Sequence, residues 1–239
     1  MIAIDHLTVL FGGVRGINDL TATLPEKVTG LVGPNGAGKT TLLNVLSGFV
    51  APAAGSVLVD GADALRLAVH KRAAFGIRRT FQNEQVVENL SAEDNVAAVL
   101  DNVPTGGQPR RQLIRKALDY VGLAPRAQAR GGDLNAYDRR MLEIARATVG
   151  APRLVMMDEP GAGLNEEETA HLRDVIVGIP AFCGAQVLLV DHDVDLISAV
   201  CVATLVLDFG SRIAYGPTAD VLKDPKVRAA YLGMAEASS

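Results

Sequence analysis

The segment at residues 33–40 constrains the fold more than any other part of the chain, because its sequence GPNGAGKT follows the pattern G-x-x-x-x-G-K-[ST]. A short apolar run at residues 28–32 precedes it, and a helix-forming segment follows at residues 39–46. A strand, a glycine-rich turn and a helix in that order surround a phosphate with backbone N–H groups and the positive end of the helix. The sequence therefore predicts an α/β fold whose loop binds a nucleoside triphosphate.

The residues of this loop have distinct predicted roles. Lys39 supplies a mobile positive charge for the β- and γ-phosphates, and Thr40 supplies a hydroxyl for Mg²⁺. A glycine-rich turn with an ordinary surface lysine is the alternative, which the flanking strand and helix patterns disfavour. The residues predicted to contact the nucleotide are Gly33, Pro34, Asn35, Gly36, Ala37, Gly38, Lys39, Thr40 and Thr41.

A second apolar run, at residues 154–157, ends in the carboxylates Asp158 and Glu159. A buried parallel strand delivers such side chains to the edge of the sheet where ligands bind. We expect Asp158 to hold Mg²⁺ through water and Glu159 to polarise the attacking water. By itself, the pattern also fits a strand that simply meets solvent, and the phosphate loop favours the functional interpretation.

The remaining pattern predicts an α/β nucleotide-binding core at residues 1–82 and 151–239, interrupted by a helical insertion at residues 83–150. Strands are expected at residues 2–9, 18–24, 28–32, 56–59, 154–157, 186–190 and 204–207. Helices are expected at residues 39–46, 95–100 after a capping box at Ser91, 111–121, 166–177 after the cap Asn165, 193–200, and from Pro225 onward.

Composition excludes several classes of function. The formal charge is −4, so no basic field attracts nucleic acid. The longest apolar run, residues 199–207, is about half of what a spanning helix needs. Cys183 and Cys201 are isolated from each other and from histidines, which predicts reduced thiols rather than a metal site. We expect a soluble chain that reaches a membrane by docking on other subunits.

Seven ordered motifs together resemble the ABC-transporter ATPases along nearly the whole chain, and the branched-chain amino acid importer type most of all. They are FGG at Phe11, GPNGAGKTT at Gly33, GIRRTFQN at Gly76, LEIARA at Leu142, MDEPGAGLN at Met157, VDHD at Val190 and DPKVRAAYLG at Asp224. The resemblance implies a P-loop NTPase core with an antiparallel β subdomain and a helical subdomain insertion.

The resemblance assigns further roles. Phe11 matches the aromatic residue that stacks on adenine, Gln82 the glutamine that reaches Mg²⁺ and the attacking water, and His192 the histidine that contacts the γ-phosphate. The alternatives are a packed or exposed phenylalanine, a solvated glutamine and a structural histidine. The other histidines, His6, His70 and His171, are interpreted as structural.

The resemblance also implies cofactors and partners. These are ATP with Mg²⁺, a second ATPase subunit, two membrane permease subunits and, indirectly, a solute-binding protein, with this chain at the cytoplasmic face of the inner membrane. The implied cargo is branched-chain amino acids or similar small polar solutes. One alternative is a subunit that binds ATP and regulates a pump without hydrolysing it. Another is an ABC ATPase acting on DNA or ribosomes.

One motif departs from the family. The segment that usually reads Leu-Ser-Gly-Gly-Gln, and that serves the nucleotide of the partner subunit, corresponds here to Leu134, Asn135, Ala136, Tyr137 and Asp138. It lacks the serine and both glycines, which predicts a heterodimer with a subunit whose own segment is intact. The alternative is that the helix starts about one turn earlier, at Gly131 and Gly132, and presents those glycines instead.

Overall fold

The computed structural model describes residues 1–82 and 84–232, with only the backbone described for Tyr231 and Leu232. Asn83 and Gly233, which belong to two of the quoted motifs, lie outside the described residues. The chain divides into two compact units, one of Met1–Val69 with Leu188–Ser239 and the other of His70–Val187. The division expected at residues 83 and 150 stays a prediction.

The strands are β1 (Ile2–Phe11), β2 (Val14–Leu24), β3 (Val28–Val32), β4 (Ala54–Val59), β5 (Ala62–Asp63), β6 (Ile77–Arg79), β7 (Leu154–Asp158), β8 (Gln186–Val190), β9 (Ala203–Asp208) and β10 (Ser211–Pro217). The α-helices are α1 (Lys39–Ser47), α2 (Val69–Phe75), α3 (Ala92–Val99), α4 (Arg110–Tyr120), α5 (Ala136–Thr148), α6 (Glu166–Cys183), α7 (Val194–Val200), α8 (Thr218–Val221) and α9 (Pro225–Val227). Short 3₁₀ turns lie at Ala64–Arg66, Ala124–Arg126 and Gly131–Asp133.

The first unit contains an antiparallel sheet in the order β2-β1-β4-β5. In β1, Ile2 and Ile4 are buried while Asp5 and His6 are exposed. Ile2 is opposite both Leu24 of β2 and Val59 of β4. The buried apolar side chains of these strands form one face of the sheet. This confirms the antiparallel β subdomain that the family resemblance implied.

The same unit contains β3, which pairs in parallel with β9, and β9 pairs antiparallel with β10. Every residue of β3 is buried. Every residue of β8 is buried as well, and strands covered on both faces consist mainly of apolar residues. The bounds predicted for β3 and β8 are confirmed residue for residue.

In the second unit β6 and β7 pair in parallel, with Ile77 opposite Leu154. Helix α5 presents a buried face that includes Met141 and Leu142, and α4 presents Leu113 and Leu118. Hydrophobic burial of these stripes holds the helices together. Within the described residues, no helix combines the length and the apolar character needed to cross a bilayer.

Two predicted helix features need correction. Helix α6 was expected to end at Val177 but continues through Pro180 to Cys183, because Ile179 is fully buried and the Phe182 ring stacks on Tyr120 with centroids 4.0 Å apart. Proline in a helix interior removes one backbone hydrogen bond, and this packing offsets that loss. At Ser91 the hydroxyl accepts from the Asp94 N–H, but it also donates to the Asp94 carboxylate, so the reciprocal half of the expected capping box is replaced.

Candidate nucleotide-binding site

The phosphate loop connects β3 to α1 and depends on glycine at two close approaches. Gly33 has φ 151°, and a Cβ atom there would lie 2.1 Å from the carbonyl oxygen of Leu207. Gly38 has φ 102°, and a Cβ atom there would lie 2.6 Å from the carbonyl oxygen of Gly16. No other residue fits either position without moving backbone, so the loop keeps a tight turn at the start of α1.

Helix α1 begins without a side-chain cap, because its N-cap is Gly38. The N–H groups of a first helical turn have no acceptor within the helix, and they carry the positive end of the helix dipole. They are therefore available to an anion at the loop, which is the arrangement that a phosphate group requires.

The Lys39 side chain is bent back over the loop. Its ammonium donates to the carbonyl oxygens of Gly33 at 2.6 Å and Pro34 at 3.0 Å, and the residue is only 7% exposed. The loop thus holds the positive charge in place. Thr40, the predicted Mg²⁺ ligand, is exposed.

Phe11 and His192 belong to the same unit as the phosphate loop. The Phe11 ring is about half exposed and lies over Gly16, where a Cβ atom would come within 2.7 Å of the ring. Gly16 therefore makes room for the ring, and one ring surface stays open for stacking.

His192 lies between the end of β8 and the start of α7 and is exposed. The residues on either side fix its backbone. Asp191 accepts from the N–H of Asp193 at 3.0 Å, and Asp193 caps α7 by accepting from the N–H groups of Asp195 and Leu196. These caps orient the turn that carries His192.

The second unit carries Asp158, Glu159 and Gln82 at the ends of β7 and β6. Gln82 donates from its amide nitrogen to Glu159 Oε2 at 2.9 Å, so two of the predicted catalytic side chains lie together. Glu159 has φ 52°. A non-glycine residue in this conformation is strained, and such strain concentrates at functional sites.

Asp158 is buried and ion-paired. Arg79 Nη2 lies 2.7 Å from Asp158 Oδ2. The Arg79 guanidinium also lies over the Phe81 ring, 5.0 Å from the ring centroid. Arg79 has no predicted role of its own. The only signal was its position in the motif that contains Gln82.

The divergent segment, residues 134–138, contains the start of α5. Asn135 is the N-cap and accepts from the Asp138 N–H at 2.7 Å. Gly131 and Gly132 lie in a separate 3₁₀ turn, where their N–H groups donate to the carbonyls of Leu90 at 2.8 Å and Glu88 at 3.0 Å. The alternative in which the helix starts one turn earlier is therefore wrong.

The two unusual side chains of this segment have partners of their own. The Tyr137 hydroxyl forms a hydrogen bond with His171 Nδ1, and burial, assisted by the nearby charges of Glu168 and Asp138, raises the pKa of Tyr137 to about 12. Asp138 forms an ion pair with Arg126. The negative charge introduced here is thus partly compensated inside the unit.

Comparison with known proteins decides the family. The family model described as ABC transporter matches residues 17–162, which is more than half of the chain. The chain belongs to the ABC transporter family. A second model, described as branched-chain amino acid ATP-binding cassette transporter, matches residues 211–235.

Relatives of this ABC protein match it over more than nine tenths of its length. The high-affinity branched-chain amino acid transport ATP-binding protein BraF of Pseudomonas aeruginosa is 34% identical, over 98% of each chain. The lipopolysaccharide export system ATP-binding protein LptB of Acidithiobacillus ferridurans is also 34% identical, over 92% of this chain and 90% of its own.

The solved structures confirm the fold of the ABC protein. The ADP conformation of MJ1267, an ATP-binding cassette of an ABC transporter, has a TM-score of 0.84 and 25% identity over 98% of each chain. The predicted family and fold class are therefore confirmed, and the chain is an ATPase of this family.

Proposed function

We propose that this ATPase powers an importer of branched-chain amino acids or related small polar solutes. The observation that supports this substrate class is the match of residues 211–235 to the branched-chain amino acid cassette model. Percent identity does not discriminate, because BraF and the lipopolysaccharide export protein LptB are both 34% identical to the chain. The match of the carboxyl-terminal segment is therefore the observation that favours amino acids as the transported class.

For nucleotide binding, we propose that residues 33–41 hold the triphosphate and that Phe11 stacks on the base. Lys39, whose ammonium donates to two loop carbonyls, would neutralise charge on the β- and γ-phosphates. The Thr40 hydroxyl and the Asp158 carboxylate are the oxygen ligands that suit Mg²⁺. When bound, this ion would neutralise the charge that develops on the phosphates.

For hydrolysis, we propose Glu159 as the group that accepts a proton from the attacking water. The hydrogen bond from Gln82 orients the Glu159 carboxylate. The strained backbone of Glu159 fixes the direction in which its side chain points away from the end of β7. His192 is the proposed contact to the γ-phosphate. Gln82 is exposed on its loop, which suits a group that also passes motion to a membrane subunit.

The proposed partners are a second ATPase subunit, two permease subunits at the cytoplasmic face of the inner membrane and a solute-binding protein. Asn135 replaces a serine hydroxyl by an amide, and Tyr137 replaces a glycine by a large side chain bonded to His171. Both changes support the proposal that this surface serves the other subunit's nucleotide poorly. A heterodimer keeps one competent site, built on this chain's own catalytic residues.

Nucleotide binding is tested by calorimetric titration of Mg·ATP into the folded chain. We expect heat of binding for the wild type and its loss in Lys39→Ala, with Lys27→Ala as a matched control because Lys27 is an exposed lysine outside the loop. Equal heats for the two variants would remove the basis of the proposal.

The transported solute is tested in vesicles that contain the co-purified complex and its solute-binding protein. We expect ATP-dependent accumulation of radiolabelled leucine or valine, and none with a Lys39→Ala subunit. Accumulation of an unrelated solute, with no uptake of amino acids, would contradict the substrate class while leaving the ATPase assignment intact.

A further inference from the structure

A cavity with a volume of about 130 Å³ lies within the second unit, between β6, the segment that follows β6, and α5. Its lining includes Arg78, Arg146, Glu143 and the apolar side chain of Val99. A water molecule occupies roughly 30 Å³ in the liquid, so the cavity has room for a group of several heavy atoms. None of the predicted nucleotide contacts lines it.

Arg78 is the unusual member of this lining. It is 7% exposed, and neither its Nε nor its Nη1 has a hydrogen-bond partner in the part of the chain that the structure describes. Burial lowers the pKa of Arg78 to about 10, so its guanidinium is still charged at neutral pH. A buried charge without a partner is strongly unfavourable.

The other charged groups of the cavity do not compensate Arg78. The Glu143 oxygens accept from the backbone N–H groups of Gln85 at 2.6 Å and Phe81 at 3.4 Å, and burial raises the pKa of Glu143. Arg79 is paired with Asp158. Arg146 donates from Nη1 to the Gln85 carbonyl, but its Nε has no partner among the described residues. The donors therefore outnumber the acceptors.

We propose that this cavity is a binding site for a small oxyanion, a carboxylate or phosphate group, held by Arg78 and Arg146. A guanidinium presents a planar fork of N–H donors that matches two oxygens of such an anion. The anion would satisfy the unpartnered donors of both arginines and supply the missing negative charge. No residue of the phosphate loop lines the cavity, so the proposed anion is distinct from the phosphates of the bound nucleotide.

The proposal is tested on the full chain, with the nucleotide site saturated by a non-hydrolysable ATP analogue and Mg²⁺. The thermal unfolding midpoint is measured against sodium phosphate or sodium acetate, at constant ionic strength in Tris chloride. We expect the wild-type midpoint to rise with the logarithm of the anion concentration above the dissociation constant. A response to phosphate alone or to acetate alone identifies the class of oxyanion, and either supports the site.

Arg78→Met removes the charge and keeps most of the volume, while Arg66→Met changes an exposed arginine in the other unit. We expect Arg66→Met to respond as the wild type does and Arg78→Met not to respond. In chloride alone, Arg78→Met should be at least as stable as the wild type, because it removes a buried unpaired charge. The order of stability should therefore reverse as phosphate or acetate is added.

A direct measurement keeps the test independent of folding. Equilibrium dialysis of the wild type and Arg146→Met with radiolabelled phosphate and acetate should show one additional bound anion per wild-type chain. The proposal would be overturned if the unfolding midpoint of the wild type did not change with either anion. It would also be overturned if the midpoint of Arg78→Met rose as much as that of the wild type, or if Arg146→Met bound as much anion as the wild type.

Discussion

At the scale of single residues, Glu159 offers the sharpest test of the chemistry. Glu159→Gln keeps the size of the side chain and an oxygen that can accept from Gln82, but it removes the base. General-base groups contribute roughly 10²–10⁴-fold to rate, so we expect turnover of the assembled complex to fall by about that factor while Mg·ATP still binds. Steady-state ATPase assays and calorimetry measure the two effects.

Glu166→Gln is the matched control for this substitution, because Glu166 is an exposed carboxylate in the first turn of α6. We expect it to hydrolyse ATP as the wild type does. If Glu159→Gln also kept wild-type turnover, Glu159 could not be the group that activates water.

His6 makes the stability of the chain depend on pH. Its hydrogen bond to Asp19, with Nδ1 and Oδ1 2.7 Å apart, and the charge of Asp19 raise the pKa of His6 above its ordinary value of 6.5. A raised pKa stabilises the fold fully below pH 6.5 and loses that contribution as the pH rises through the folded-state value. We expect the wild type to exceed His6→Gln in unfolding midpoint at pH 5.5 and to match it at pH 9.

The outcome that contradicts this prediction is a difference between wild type and His6→Gln that is the same at both pH values. His70→Gln is a suitable control, since His70 is an exposed histidine in α2.

At the scale of elements, the first turn of α5 depends on Asn135. Replacing a capping residue by alanine costs about 1 kcal/mol, so we expect Asn135→Ala to lower the free energy of unfolding by that amount. Asn135→Ser keeps a capping oxygen and should have little effect. Urea unfolding at equilibrium measures both, and equal stability of Asn135→Ala and wild type would show that the cap contributes nothing.

The sequence predicted elements best where burial is uniform. Every residue of β3 and β8 is buried and, apart from Thr29 and Gln186, each is apolar or glycine, so both runs were visible in the sequence. In β6 the run is Ile77, Arg78 and Arg79, and two arginines conceal a strand whose position depends on pairing with β7. The end of α6 was misplaced because its final turns are stabilised by tertiary contacts rather than by local sequence.

The candidate site was predictable residue by residue but not as a set of contacts. Lys39, Asp158 and Glu159 follow from local pattern, since Lys39 follows a glycine-rich turn, Asp158 ends β7 and Glu159 comes next. The ion pair of Arg79 with Asp158 joins residues of separate strands. Such a pair is set by the register of β6 against β7, which no local pattern reveals.

At the scale of the whole molecule, the divergent segment at the start of α5 decides how this chain works with a second subunit. If the segment cannot support hydrolysis in a partner, the isolated chain should turn over slowly and the co-purified pair faster. A chain carrying Asn135→Ser, Ala136→Gly, Tyr137→Gly and Asp138→Gln regains the hydroxyl donor and the close approach of backbone. One preorganised donor to a transition state is worth roughly 10²–10³-fold in rate, so we expect the ATPase rate of the isolated chain to rise by about 10²-fold.

Two effects must be separated in that experiment. The fourfold variant loses the Tyr137 bond to His171 and the Asp138 ion pair with Arg126, so it should unfold at a lower temperature, and rates are compared well below that midpoint. Tyr137→Phe loses the hydrogen bond alone and should gain no activity. Rapid turnover by the isolated wild-type chain, or no gain in the folded fourfold variant, would mean that Asn135 and its neighbours already form a working surface, and the asymmetric heterodimer would have no physical basis.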